Sequence, residues 1–199
     1  MKPGLTAGGG ERTHLPPPPP EQRAPPLGLA VGDLVVYACH GIGRVEARRP
    51  SGEGRPETVA LIFESGLRVI LPLARALDAL RPLSSEFELE DVRRTLRAEA
   101  STPVEPWSRR YRVTRDKVAA GQATALAEVV RDGLQREQRL AAGASGRTTA
   151  PSDRQLYVQA RTLLTAEVAL CRGIGLAEAD AWILDQVAEQ SSTFAGATE

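Results

Sequence analysis

This chain of 199 residues is poor in the residue types that build metal sites, disulfide frameworks and membrane spans. Its two cysteines are Cys39 and Cys171, and its two histidines lie outside any Cys-x-x-Cys or His-x-x-x-His spacing. Neither a zinc site nor a disulfide framework is therefore predicted. No apolar run approaches the roughly 18 residues that a membrane-spanning helix needs, and the N-terminus lacks the apolar core of a signal peptide. These absences predict a protein of the reducing cytoplasm.

Histidine is also too scarce for most catalytic machinery. His14 lies in a proline-rich stretch, and His40 stands alone at a predicted hairpin, where a structural role is expected. No serine, cysteine or carboxylate has a partner at a spacing that would activate it. The sequence therefore predicts a protein that is not an enzyme and carries no cofactor.

Charge is balanced over the chain, with 25 basic and 25 acidic residues. Any contact with nucleic acid must then come from a local patch. One such patch lies between Trp107 and Lys117, where five basic residues and one acidic residue give a net charge of +4. Residues 162–199 have the opposite bias, with one basic and six acidic residues.

The N-terminal third contains two kinds of sequence. Residues 1–28 are rich in glycine and proline and are predicted to be a disordered arm. Short runs of Val, Leu and Ile separated by glycine follow, and they predict four strands. These strands cover residues 34–37, 42–47, 58–63 and 67–71. Short meandering strands of this kind are typical of a small SH3-like or Tudor-like barrel, here over residues 29–83.

After Pro82 the apolar residues recur at helical spacing. Ser85 with Glu88 forms a predicted capping box for the first helix. About five helices are predicted, over residues 86–100, 107–121, 123–140, 152–171 and 177–189, with Ser152 as the cap of the fourth. The predicted fold class is α+β, with the barrel followed by an all-α bundle over residues 84–190 and a disordered tail over 191–199.

Trp107 has two interpretations from the residues alone. Most tryptophans in small helical domains are core or helix-staple residues. Trp107 also begins a predicted helix beside Arg109, Arg110 and Arg112, where an aromatic ring can stack on a base or insert between base steps. Arg136 and Arg154 would extend this basic surface, although Asp132 and Glu137 dilute it. Tyr111 and Trp182 are assigned to the bundle core.

Five segments, in order along the chain, resemble the CarD/CdnL family of bacterial transcription regulators. They are VGDLVVYACHGIGRVEA (31–47), GLRVILP (66–72), PWSRRYR (106–112), LAEVVRD (126–132) and ARTLLTAEVAL (160–170). The resemblance covers residues 29–190. It implies that the Tudor-like module binds the RNA polymerase β subunit by an exposed strand. The residues implied in that contact are Val59, Arg68, Ile70 and Pro72.

The same resemblance implies that the helical module contacts promoter DNA, largely independently of sequence, at the upstream edge of the transcription bubble. Trp107 matches the family's minor-groove tryptophan, and Arg110, Arg112, Arg136 and Arg154 match its basic positions; Arg109 joins them from the local cluster. The expected protein is a monomer, associated with the nucleoid and not with a membrane, that stabilises the open promoter complex. The alternative is an adaptor without DNA contacts, whose helical module binds a second protein.

Three features depart from the family pattern. The loop over residues 141–150, which precedes Arg154, is unusually long. Gly133 stands where relatives often have a larger apolar residue, and it costs a helix about 1 kcal/mol relative to alanine. The proline-rich arm is additional.

Overall fold

The N-terminal module is a five-stranded antiparallel sheet in the computed structural model, which describes residues 28–52, 54–99, 106–143 and 149–195. The strands are β1 (Leu34–Tyr37), β2 (Gly41–Arg49), β3 (Thr58–Phe63), β4 (Arg68–Pro72) and β5 (Arg81–Pro82). Their order in the sheet is β4-β3-β2-β1-β5. A short 3₁₀ turn, Ala38–His40, joins β1 to β2, and the register of β2 against β3 shifts between Val45 and Ala47.

Alternating burial along the strands forms the core of this module. In β3, Val59, Leu61 and Phe63 are buried while the residues between them are partly exposed, as expected for a sheet with one face covered. Leu29, which precedes the first strand, is also buried there. The packed part of the chain therefore begins within two residues of the predicted end of the arm.

The remaining chain is helical apart from its connections. The helices are α1 (Leu73–Ala79), α2 (Glu86–Arg97), α3 (Trp107–Ala120), α4 (Ala123–Ala142), α5 (Pro151–Arg172) and α6 (Leu176–Ala195). Helix α1 packs against β3 and β4, and α2 to α6 form a bundle. The core of the bundle includes Val92, Leu126, Val130, Leu164 and Ile183. This architecture confirms the predicted fold class.

Local signals located most helix ends correctly. The predicted capping box is confirmed, since the Ser85 hydroxyl accepts from the Glu88 amide and the Glu88 carboxylate accepts from the Ser85 amide. Helix α5 begins at Pro151, with Ala150 as its cap, so the predicted cap at Ser152 was wrong. Proline fits the first helical position because its missing N–H has no partner there.

Three other predictions about elements need correction. Helix α1 and strand β5 were missed, because seven and two residues are too short to establish a periodicity. Helix α6 continues to Ala195, so residues 191–195 are helical and do not belong to a disordered tail. Of the predicted arm over residues 1–28, only Gly28 is among the described residues, and residues 144–148 of the predicted loop over 141–150 lie outside them. No described helix combines the length and apolar character needed to cross a bilayer.

Candidate nucleic-acid and protein interfaces

Trp107 lies at the first position of α3 and is 50% exposed. Its indole stacks on the Tyr111 ring, with centroids 5.4 Å apart and planes inclined by 21°. Tyr111 lies one helical turn later, on the same face, and packs against the bundle core as predicted. The tryptophan is therefore a surface residue on an aromatic platform, which contradicts the core interpretation.

Arg110 and Arg136 meet at a carboxylate that the sequence analysis did not identify. Both donate to Asp153 Oδ2, over 3.4 Å from Arg110 and 3.1 Å from Arg136. The contact joins α3, α4 and the first turn of α5, and Asp153 is mostly buried in it. Burial, followed by the charge of Arg110, lowers the pKa of the Arg136 guanidinium, while Asp153 opposes this shift. Asp153 thus holds two like charges together.

Gly133 allows this three-helix contact to form. A Cβ atom at this position would lie 2.4 Å from Cδ2 and 3.0 Å from Cγ of the Tyr157 ring. Tyr157 is one turn after Asp153 in α5, and its hydroxyl accepts from Arg161. The departure noted at Gly133 therefore has a physical reason. The missing side chain lets α4 approach α5 closely enough for Arg136 to reach Asp153.

The predicted basic residues do not share one helix face. At 100° per residue, Trp107 and Arg110 lie on the side of α3 that faces the bundle, whereas Arg109 and Arg112 lie on the outer side. Arg154, in the first turn of α5, is exposed, as is Arg112. Neither of these two side chains has a hydrogen bond or ion pair within the described ranges. A bound polyanion would meet these exposed guanidinium groups first.

Strand β4 is an edge of the sheet. It pairs with β3 on one side only among the described strands. Arg68, Ile70 and Pro72 are exposed along it, with Ile70 at 59%. Arg68 donates through Nε to Glu46 Oε2 at 2.9 Å, and this hydrogen bond raises the pKa of Arg68. The edge offers free main-chain groups beside an exposed apolar side chain, which suits the addition of a strand from a partner.

Val59 is not available for a surface contact. It is 0% exposed, and it lies in β3 between β2 and β4. The resemblance-based assignment of Val59 as a contact residue is corrected here, since its side chain is part of the sheet core opposite Leu71. Val59 instead belongs to the strand that pairs with β4 and packs in the core beneath it.

Three other side chains that could have served a functional site make packing or hydrogen-bond contacts within the fold: His40, Cys171 and Trp182. The His40 ring stacks on Tyr37 at 5.0 Å. The Cys171 thiol donates to the Ser84 carbonyl, and burial followed by the nearby Glu167 raises its pKa to about 11. Trp182 packs against the bundle core as predicted and also carries the Arg172 guanidinium over its ring. No group of three potential metal ligands occurs among the described residues.

Comparison with known proteins assigns a class to each module. Residues 29–84 match the family model described as the CarD-like/TRCF RID domain, and residues 91–184 match the model described as CarD, C-terminal domain. The chain is 27% identical over 148 residues to "Putative transcription factor YdeB" of Bacillus subtilis (strain 168), an alignment that covers 72% of this chain and 92% of that protein.

Both modules are therefore domains of a transcription regulator. The chain belongs to the CarD/CdnL family. Members of this family are of the transcription factor type and are not an enzyme class. The RID type of the N-terminal module indicates an interaction with RNA polymerase.

Proposed function

We propose that this protein binds the RNA polymerase β subunit through the β4 edge and stabilises the open promoter complex through the Trp107 surface. This surface comprises Trp107, Arg109, Arg110, Arg112, Arg136 and Arg154. The observation that carries the proposal is the half-exposed indole of Trp107, stacked on Tyr111 at the start of α3. An aromatic ring held at a helix start can insert beside an unstacked base step at the upstream edge of the bubble.

Tyr111 orients the Trp107 indole, which in this proposal acts as a wedge beside the opened base step. A Trp–Tyr stack contributes about 0.5–1.5 kcal/mol beyond burial, so the indole is ordered before DNA arrives and loses less conformational freedom on binding. Unstacking a base step costs a few kcal/mol, and a ring that occupies the opened step disfavours its closure. Because about 1.4 kcal/mol corresponds to tenfold in an equilibrium, even part of this energy changes the population of a marginally open promoter.

The arginines of this surface would contact phosphates, and so would not read sequence. Arg109, Arg112 and Arg154 are exposed, while Arg110 and Arg136 are already partly neutralised by Asp153. Each phosphate contact contributes about 0.9 to the slope of log K against log salt concentration. Replacing Arg112 or Arg154 by glutamine should therefore lower that slope by about 0.9. Arg94→Gln, an exposed change on α2, is the matched control and should leave the slope unchanged.

The first experiment measures the lifetime of open complexes on a promoter that melts poorly, with the cognate holoenzyme. Wild type should prolong the lifetime, and Trp107→Ala should shorten it about tenfold or more, which corresponds to 1.4 kcal/mol or more. Phe87→Ala is the matched control, since it removes another half-exposed aromatic side chain, from α2. Trp107→Ala should lose only about 1 kcal/mol of folding stability, mainly its stack on Tyr111.

Equal lifetimes for wild type, Trp107→Ala and the reaction without the protein would refute the wedge. The helical module would then bind a second protein, as an adaptor does. Shortened lifetimes for both Trp107→Ala and Phe87→Ala would indicate a general effect of surface changes.

The β4 edge is tested separately. Ile70→Glu places a carboxylate at the centre of the exposed strand and should abolish binding to the β subunit without unfolding the module, because Ile70 is mostly exposed. Val158→Glu, a change at a half-exposed apolar residue on α5, is the control. Retained β binding by Ile70→Glu would exclude this edge as the contact.

A further inference from the structure

The two modules are joined by a buried ion pair. Arg81, in β5 at the edge of the sheet, donates to both carboxylate oxygens of Glu167 in α5, over 2.6 and 2.7 Å. The same guanidinium donates to the main-chain oxygen of Gly121, from Nη2 at 2.7 Å and Nε at 3.2 Å. One side chain of the sheet thus hydrogen-bonds both to α5 and to the end of α3. The planar guanidinium restricts the directions of these hydrogen bonds.

Glu167 is fully satisfied in this position. It is 1% exposed, and its Oε1 also accepts from the amide and hydroxyl of Ser84, at 3.1 and 2.7 Å. Ser84 lies in the segment between β5 and α2, where the chain passes from one module to the other. A buried ion pair is weak evidence for net stability, and in some proteins such a pair selects one arrangement among several. Here the arrangement that it selects is the orientation of the sheet relative to the bundle.

A direct backbone contact lies beside the ion pair. Gly121 ends α3 in the left-handed conformation, with φ of 64°. A Cβ atom on Gly121 would lie 2.7 Å from Ala38 Cα and 2.8 Å from the Ala38 carbonyl carbon and oxygen. Ala38 belongs to the 3₁₀ turn between β1 and β2. The C-terminal end of α3 therefore rests on the sheet module with no space for a methyl group.

The opposite end of α3 carries Trp107. The helix has 14 residues, which corresponds to about 20 Å at 1.5 Å per residue. A helix of this length is stiff, so a small tilt at Gly121 is amplified at Trp107. Both the position and the direction of the indole relative to the β4 edge depend on the contact at the far end of α3.

We propose that Gly121, Arg81 and Glu167 are positioning residues. They set the position and direction of the Trp107 indole relative to the β4 edge. This inference rests on the proposed function, in which both the β4 edge and Trp107 are engaged at once. When the β4 edge is bound to polymerase, the indole meets the upstream edge of the bubble only if the angle between the two modules is fixed. The three residues touch neither polymerase nor DNA and act through α3.

The chain contains a matched pair of substitutions that tests this role. Gly121→Ala and Gly173→Ala both place alanine at a helix end with φ of 64°, so both introduce the same backbone strain. A Cβ at Gly173 has no atom within 4 Å, whereas a Cβ at Gly121 meets the Ala38 backbone. Any difference between the two variants therefore reports the contact between the modules.

Two measurements on the full chain are needed. Residual dipolar couplings of backbone N–H groups test whether one alignment tensor describes both modules, and open-complex lifetimes with holoenzyme test function. Wild type and Gly173→Ala should show a single tensor and long lifetimes. Gly121→Ala should show a changed relative orientation of the modules and a lifetime close to that without the protein, with unchanged affinity for the β subunit. Glu167→Gln, which keeps the side-chain shape but removes the charge, should have the same effects and replaces Gly121→Ala if that variant does not fold.

Three results would overturn the proposal. In the first, Gly121→Ala and Glu167→Gln match Gly173→Ala in both measurements. In the second, the orientation changes but the lifetime does not. In either case a shortened lifetime for Trp107→Ala would leave the proposed function standing. In the third, Trp107→Ala also keeps the full lifetime, and the proposed function fails together with the positioning role.

Discussion

Gly133→Ala separates what helix propensity predicts from what the packing predicts. Gly133 lies inside α4, and replacing a helical glycine by alanine ordinarily stabilises a protein by about 1 kcal/mol. Here the added methyl group would lie 2.4 Å from Cδ2 and 3.0 Å from Cγ of Tyr157. Ordinary contact begins at 3.4 Å. Either the ring or one of the helices must therefore move by about 1 Å.

The Tyr157 ring cannot move cheaply. It is buried, it lies in the bundle core, and its hydroxyl accepts from Arg161 at 3.1 Å. The clash also involves ring atoms near the backbone, which a small rotation does not displace far. Overpacking of this kind costs about 1–3 kcal/mol, occasionally more. Subtracting the propensity gain of about 1 kcal/mol, we expect Gly133→Ala to be less stable than wild type by up to about 2 kcal/mol, with a Tm lower by up to about 8 °C.

Urea unfolding followed by circular dichroism measures the change. Ala119→Gly, at an exposed position of α3, calibrates the propensity effect and should cost about 1 kcal/mol. The decisive comparison is the double variant. With Tyr157→Ala in the background, Gly133→Ala should become stabilising by about 1 kcal/mol, because the ring is gone. A Gly133→Ala protein more stable than wild type would refute the packing argument.

Further predictions concern the charged and thiol groups. Asp153→Asn should destabilise the protein, because it leaves the charges of Arg110 and Arg136 facing each other without a carboxylate. Adding Arg136→Gln should restore part of the lost stability. A double-mutant cycle of unfolding free energies measures this coupling, and additive losses would contradict it. The hydrogen bond from Arg161 lowers the pKa of Asp180, so its contribution to stability is present above the unfolded pKa of 3.8 and is lost as pH falls through the folded value. Asp180→Asn should therefore flatten the fall of the unfolding midpoint between about pH 5 and pH 2, and an unchanged acid limb would count against the pair. Raising the pKa of Cys171 from 9.0 to about 11 should make its alkylation at neutral pH about 100-fold slower than in the unfolded chain, which peptide mapping by mass spectrometry measures; equal rates would contradict the burial.

Local features of the chain were sufficient to predict most of the fold. The Ser85 and Glu88 pair predicted the start of α2 correctly because a capping box involves residues three apart. The alternation in β3 and the helical periods after Pro82 work in the same way, since each depends on neighbours along the chain. Elements too short to complete a period, such as β5, were missed for the same reason.

The candidate site was predictable only in part. The local excess of arginines beside Trp107 was evident from the sequence, but its neutralisation was not, because Asp153 lies 43 residues from Arg110 and 17 from Arg136. The alternation along β3 assigns the Val59 side chain to one of the two faces of the sheet, but it does not say which face is buried and which could meet a partner. Burial of that residue depends on how the sheet is covered.

What the sequence alone determined was the order of the longer elements, the basic start of α3 and the tryptophan within it, because these follow from local spacing and composition. Tertiary structure decided which groups meet: Trp107 on Tyr111, Arg136 on Asp153 across the space left by Gly133, and Arg81 on Glu167, 86 residues apart. Such contacts depend on the packing of several helices and the sheet at once. No local pattern encodes them, since the residues involved are brought together only when the whole core is formed.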